Sequence, residues 1–158
     1  TADGWRLATM NVVITDVEDI NDSGEALSFN PSPTRLLDST IEAFNQQDMQ
    51  SLRQKFQPGA MVFDTTQIQE NGGRFVSVLF QRAPDVFLRW FERGNNMQLT
   101  VDHVMVDIHD DYTATASTYY ILTENGIVVE TGQQLWTFIA SQTAGWQVTA
   151  LVFSPDRE

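Results

Sequence analysis

Cysteine is absent from this chain of 158 residues. Disulfides, thiol nucleophiles and cysteine metal sites are therefore excluded, while the compartment stays unknown, because cysteine-free chains occur inside and outside the cell. Lysine is almost absent too: Lys55 stands with eight arginines against 21 acidic residues, for a net charge of −12. No basic stripe is left for phosphates, so nucleic acid and anionic membrane surfaces are poor partners and a neutral or cationic ligand is easier to accommodate. No apolar run approaches the roughly 20 residues needed to cross a bilayer, and no signal peptide is visible. Phosphate loops, dinucleotide fingerprints, Ser-His-Asp order and zinc spacings are all missing, which leaves cofactor-free chemistry or none. What the chain has in quantity is core material, 42% apolar residues with ten Phe and four Trp, enough for one globular domain.

Residues 1–33 read as a strand and an acidic linker ahead of a domain at 34–158. The linker carries Asp16, Glu18, Asp19, Asp22 and Glu25, with no basic residue between Arg6 and Arg35, the composition of a solvated segment. The apolar piece before it repeats a pattern from the other end. Gly4-Trp5 opens a run ending in Asn11-Val12-Val13-Ile14, as Gly145-Trp146 opens one ending in Leu151-Val152-Phe153. Chance explains so short a match; the alternative is the last strand of a preceding copy, or an added strand pairing with this domain. The chain starts at Thr1 without Met, which points to upstream residues having been removed.

Pro31-Ser32-Pro33-Thr34 announces a helix, with Ser32 as cap and proline in the first turn. Leu37, Ile41 and Phe44 repeat at helical spacing. Asn45 to Asp48 break the pattern, and Met49, Leu52 and Phe56 form a second, shorter helix that Pro58-Gly59 is expected to end. Strands are expected over Ala60 to Gln67 and Arg74 to Gln81, joined through Glu70-Asn71-Gly72-Gly73. A third helix runs from Val86 to Arg93, with Val86, Phe87, Trp90 and Phe91 on its apolar side and Gly94 as its stop. Four strand-like runs follow: Met97 to Ile108, Thr113 to Thr123, Ile127 to Ala140 and Gly145 to Phe153. Their turns are too short for parallel crossovers, so an antiparallel meander is expected, covered on one face by the helices.

This order resembles the nuclear transport factor 2-like superfamily, which includes SnoaL-like cyclases, steroid delta-isomerases and scytalone dehydratase. The likeness covers roughly Thr34 to Phe153. It is carried by Phe44-Asn45-Gln46-Gln47-Asp48, similar to the family's "a-x-N-x-G-D"; by Phe56-Gln57-Pro58-Gly59-Ala60-Met61-Val62, similar to "F-x-x-D-A-x-V"; and by Ala144-Gly145-Trp146-Gln147-Val148, similar to "G-G-W-R-I". The resemblance implies an α+β fold in which three helices from the N-terminal half pack on a strongly curved, mostly antiparallel sheet forming a cone. It also implies a homodimer through the outer face of the sheet.

In the steroid-isomerase branch an acid at the end of the first strand is the general base, and the resemblance places Asp64 there. Asp64 shares a strand face with Val62, and burial of that face favours base strength. The family's oxyanion-donating tyrosine falls on Thr40, a shorter and poorer acid. His103 alternates with Val101 and Met105 and reads either as acid partner to Asp64 or as a structural hydrogen-bonding residue. Asp102 and Asp107 lie on opposite faces of that strand. Tyr119 and Tyr120 also point to opposite faces, and the one facing the helices is a candidate oxyanion donor. Trp90 and Trp136, the latter sharing a face with Phe138, read as core or as apolar pocket wall. Ala114 and Ala116 suit close approach of a helix. Gln133 and Gln134 read as surface or dimer-face residues. His109, Asp110 and Asp111 read as turn formers rather than metal ligands.

Two readings follow. In the first, the domain binds a small apolar molecule and acts as a cofactor-independent isomerase, cyclase or dehydratase, with Asp64 and His103 as catalytic residues and Thr40, Val62, Trp90, Tyr119, Tyr120 and Trp136 around the ligand. In the second, it is a non-catalytic binding or dimerisation module whose cone is filled or merely holds a ligand.

Overall fold

The computed structural model describes residues 31–64, 79–82, 85–92 and 94–156. The acidic linker, the Gly4-Trp5 run and the Glu70 to Gly73 turn lie outside these residues.

The order is α1 (Pro33–Asn45), α2 (Met49–Lys55), β1 (Phe56–Asp64), β2 (Leu79–Arg82), α3 (Asp85–Glu92), β3 (Met97–Ile108), β4 (Thr113–Glu124), β5 (Ile127–Ser141) and β6 (Gly145–Pro155). The start of α1 follows from its sequence: Ser32 Oγ accepts the Arg35 N–H at 3.3 Å, and Pro33 takes the first turn. Its end makes a Schellman turn. The Asp48 N–H reaches back to the Ala43 carbonyl at 2.9 Å, and Gln47 sits at φ 56° where the family motif has glycine. Asp48 then caps α2, its Oδ1 accepting the Ser51 N–H at 3.0 Å.

Asn45 fastens this corner to the sheet. Its amide donates to the Leu99 carbonyl at 2.9 Å and its Oδ1 accepts the Leu99 N–H at 2.7 Å, the pattern a neighbouring strand would offer. The Asn-x-x-Asp segment therefore both caps a helix and docks the end of α1 on β3.

The six strands form one sheet in the order β2-β1-β6-β5-β4-β3. The meander from β3 to β6 is antiparallel as expected. β1 instead joins β6 in parallel. β1 also begins earlier than expected, at Phe56, and Pro58-Gly59 falls inside it at a register shift between Phe56 and Met61. Gly59, at φ 86°, takes the left-handed conformation that this bulge requires. Further register shifts interrupt the β3–β4, β4–β5 and β5–β6 ladders. Each adds local twist and bend, and together they curl the sheet into a cone around the helices. Asn125 and Gly126, both at positive φ, form the tight β4–β5 turn.

Alternation along β4, β5 and β6 separates the faces. Ala114, Ala116, Thr118, Tyr120 and Leu122 are buried on β4, and Gln134, Trp136, Phe138 and Ala140 on β5. They meet Leu36, Leu37, Ala43 and Phe44 of α1 and Val86 and Phe87 of α3 in one core. Ala116 lies opposite Trp136 and Ala114 opposite Phe138, so the two alanines make room for large rings on the next strand. The other face carries Thr115, Ser117, Tyr119, Gln133, Leu135 and Thr137.

Candidate functional site

The concave face of the sheet is organised in cross-strand rows, because Cα partners on adjacent strands present side chains to the same side. One row runs Asp64, Phe153, Gln134, Thr118. The next runs Val62, Leu151, Trp136, Ala116. All of these except Asp64 are buried; the Asp64 side chain lies outside the described ones.

The polar members of this face form a short relay. Trp136 Nε1 donates to Thr118 Oγ1 at 3.3 Å, and Thr118 Oγ1 donates to Gln134 Oε1 at 2.9 Å. Gln134 is fully buried, and its Nε2 has no hydrogen-bond partner among the described residues. A buried donor left unmade costs roughly 1–3 kcal/mol.

Aromatic rings pack together on the same face. Phe153 stands edge-on to Tyr120 at 5.2 Å and to Trp90 at 5.6 Å between ring centroids. Trp90 continues to Phe87 at 5.8 Å and to Phe44 at 6.0 Å. Trp136 and Phe138 stack at 6.1 Å. Trp90 and Tyr120 thus pack on Phe153 of the first row, and Val62 and Trp136 lie in the next.

Several expected site residues stand elsewhere. His103 does not alternate with Val101 and Met105: it occupies the bulge between Asp102 and Met105 at φ 49°, with its side chain 81% exposed. Two residues at the bulge face one on β4, so the strand's alternation breaks there. β3 is also four strands away from β1 in the sheet order. Tyr119 belongs to the outer face, where its hydroxyl donates to Asp156 Oδ2 at 2.7 Å. Tyr120 is the inward tyrosine, and its hydroxyl donates to Glu130 Oε1 at 2.5 Å. Thr40 is buried, yet its hydroxyl donates to the Leu36 carbonyl one turn back at 2.6 Å, so the proton an oxyanion would need is already taken.

Gln134 is the reverse case, expected on the surface and found inside. The signal was its parity with Trp136 and Phe138: two residues before a buried tryptophan on a strand is the same face. Thr118 shares parity with Tyr120 in the same way.

Away from this face, Asp110 shapes the β3–β4 turn. Its Oδ1 accepts the N–H groups of Tyr112 and Thr113 at 2.8 and 2.7 Å and the Thr113 hydroxyl at 2.9 Å. The Tyr112 N–H is the largest cause holding this carboxyl below its usual range, helped by Thr113 and opposed by partial desolvation. Asp156 is lowered likewise, first by the Tyr119 hydroxyl and then by that of Thr131. His109 Nε2 lies 2.9 Å from the Thr115 hydroxyl. These groups are engaged in turn and strand-end structure.

No family model matches the chain, and no curated protein matches its sequence. Solved structures do match. A nuclear transport factor 2-like protein of unknown function in nutrient uptake from Rhodospirillum rubrum is similar with a TM-score of 0.64 at 12% identity, over 80% of this chain and 99% of that one. A provisionally named ketosteroid isomerase from Shewanella frigidimarina is similar at a TM-score of 0.53 and 10% identity, over 76% of this chain and 92% of that one. The beta subunit of a provisionally named aromatic-ring-hydroxylating dioxygenase from Novosphingobium aromaticivorans is similar at 0.58 and 9%, over 79% and 87%. Helix order, the curled mostly antiparallel sheet and these likenesses agree: the chain has the nuclear transport factor 2-like, cystatin-like α+β fold.

Proposed function

We propose that this domain binds a small, neutral, largely apolar molecule on the concave face of its sheet, in the manner of SnoaL-like proteins, with Asp64 as general base. The observation that carries this is register. Asp64 lies on β1 opposite Phe153 and two residues from Val62, both of them buried. A carboxylate on this row would suit a proton taken from one carbon of the ligand and returned to another, an isomerisation that needs no second acid. Dehydration needs a separate acid for the departing hydroxyl, and His103 on its exposed bulge does not supply one.

The test is ligand-induced thermal stabilisation against panels of steroid-like and polyketide-like compounds, followed by turnover assays on the hits. A hit that Asp64→Asn abolishes without loss of fold supports the pocket, and turnover by the wild type alone supports the base. Stabilisation by no compound in either panel counts against both.

A second reading, a non-catalytic binding or assembly module, is favoured by the mutual packing of Phe44, Phe87, Trp90 and Phe153 and by the committed hydroxyls of Thr40 and Tyr120. Assembly would use the outer face. The row Met105, Ser117, Leu135, Val152 crosses it without a charge, and Met105 and Leu135 are 70% and 56% exposed. In a chain of net charge −12, an uncharged apolar row of this kind, flanked by the rows of Asp102 and Asp107, suits a second copy of the chain. Sedimentation velocity of wild type and Leu135→Arg decides: a dimer that the arginine dissociates supports it, and a wild-type monomer at high micromolar concentration overturns it.

A further inference from the structure

Proton counting on the buried relay shows what its open end accepts. Trp136 has one N–H and nothing to receive a bond; Thr118 has one proton and two lone pairs; Gln134 has two N–H protons and one carbonyl. With the bonds observed, Trp136 to Thr118 and Thr118 to Gln134 Oε1, both protons on Gln134 Nε2 are left. Turning the amide over does not help: one N–H would then go to Thr118, the Thr118 proton and the other N–H would be left, and the carbonyl would lose its donor. In either orientation two of the relay's four protons find no acceptor within it, and the observed orientation is the one that keeps both hydrogen bonds. The relay ends in a donor, on a fully buried side chain, in the row that Asp64 shares.

We propose that Gln134 is a ligand-binding residue whose Nε2 donates a hydrogen bond to a neutral carbonyl oxygen of the molecule held on the concave face. This assignment rests on the small-molecule reading above and names the ligand's chemistry. The acceptor is neutral because the buried residues of β4, β5 and β6 on this face include no Lys or Arg to balance an anion, and a second carboxylate would stand near Asp64. The ligand's size follows from the sheet. Gln134 and Asp64 are two strand spacings apart with Phe153 between them, roughly 10 Å between backbones. A ring ketone of about one to two fused rings spans that gap over the Phe153 ring, with its oxygen at Gln134 and a ring C–H toward Asp64. Thr118 and Trp136 are positioning residues, since they engage the Gln134 carbonyl and leave its NH₂ free to donate.

A matched pair of probes tests this: β-tetralone, a bicyclic ketone, and tetralin, the same skeleton without the oxygen. In wild type, the Gln134 side-chain amide cross-peaks in ¹H–¹⁵N spectra shift on titration with β-tetralone and stay in place with tetralin; this measurement needs no variant. In Gln134→Met, which keeps the volume and removes the donor, affinity for β-tetralone falls roughly tenfold while affinity for tetralin is unchanged. Thr118→Val, which frees the Gln134 carbonyl, narrows the ketone preference without removing it. If both probes bind and the amide peaks do not respond to the ketone, or the ketone preference survives Gln134→Met, the assignment is overturned and the pocket stands. If neither probe binds at millimolar concentration, the pocket reading falls and this assignment falls with it.

Discussion

Thr118 and Gln134 face each other across β4 and β5 with a 2.9 Å hydrogen bond in a site closed to solvent. The bond links the indole of Trp136 to a fully buried amide, so its energetics differ from those of a surface pair.

Removing the middle of that relay strands both ends. Thr118→Val keeps shape but leaves the Trp136 N–H and the Gln134 carbonyl without partners, and is expected to cost about 1–3 kcal/mol. Chemical denaturation followed by tryptophan fluorescence measures it. The double variant Thr118→Val with Gln134→Met replaces both polar groups and should cost less than the two single changes added together.

The Asn45 anchor makes a second prediction. Two hydrogen bonds to the Leu99 backbone tie α1 to β3, and Asn45→Ala deletes both while leaving the Leu99 groups partly enclosed. A loss of about 1–3 kcal/mol is expected, together with faster amide exchange at Leu99 than at Ala116 in the middle of the sheet.

Gln47 holds a left-handed conformation at φ 56°, which costs a residue with a side chain about 1–2 kcal/mol, offset in glycine by its larger unfolded-state entropy. Gln47→Gly is therefore expected to stabilise the domain by roughly 0.5–1 kcal/mol, and Gln47→Val to destabilise it. Melting temperatures of the pair, compared with wild type, check the sign.

Acid should loosen the β3–β4 turn. The Asp110 carboxyl is held below the usual carboxylate range, first by the Tyr112 N–H and then by Thr113. A carboxyl lowered on folding contributes stability above its unfolded pKa, and the contribution disappears as pH falls through the folded value. The amide shifts of Tyr112 and Thr113 are expected to hold steady from neutral pH down to the ordinary carboxylate range and to move only below it. Asp110→Asn should flatten that titration; an unchanged curve would assign it to another group.

Much of the fold was readable because it rests on local rules. Ser32 and Pro33 start α1 and Asn125-Gly126 turn β4 into β5 through nearest-neighbour chemistry. The alternation along β4 and β5 separates Trp136 and Phe138 from Leu135 and Thr137 in the same way. The place of Pro58-Gly59 was misjudged because a proline-glycine pair reads as a turn. Inside β1 the same pair makes a bulge, which the sequence of one strand does not distinguish from a chain reversal.

The site divides along the same line. Residue order put Asp64 on the first strand, on the same face as Val62, because strand alternation depends only on the chain itself; its role as an acid is what the family resemblance implies. Which groups share its face was decided by register between strands distant in sequence: β1 meets β6 in parallel, and through β6 and β5 Asp64 acquires Phe153, Gln134 and Thr118 as row neighbours. The bulge that turns His103 outward, and the partners that occupy the hydroxyls of Thr40 and Tyr120, are likewise products of packing. The sequence alone determined an acidic, cysteine-free α+β domain with an acid on its first strand. Only the tertiary structure decided that a buried glutamine faces inward with an amide nitrogen that has no partner among the described residues, because hydrogen-bond satisfaction is settled between strands and not along them.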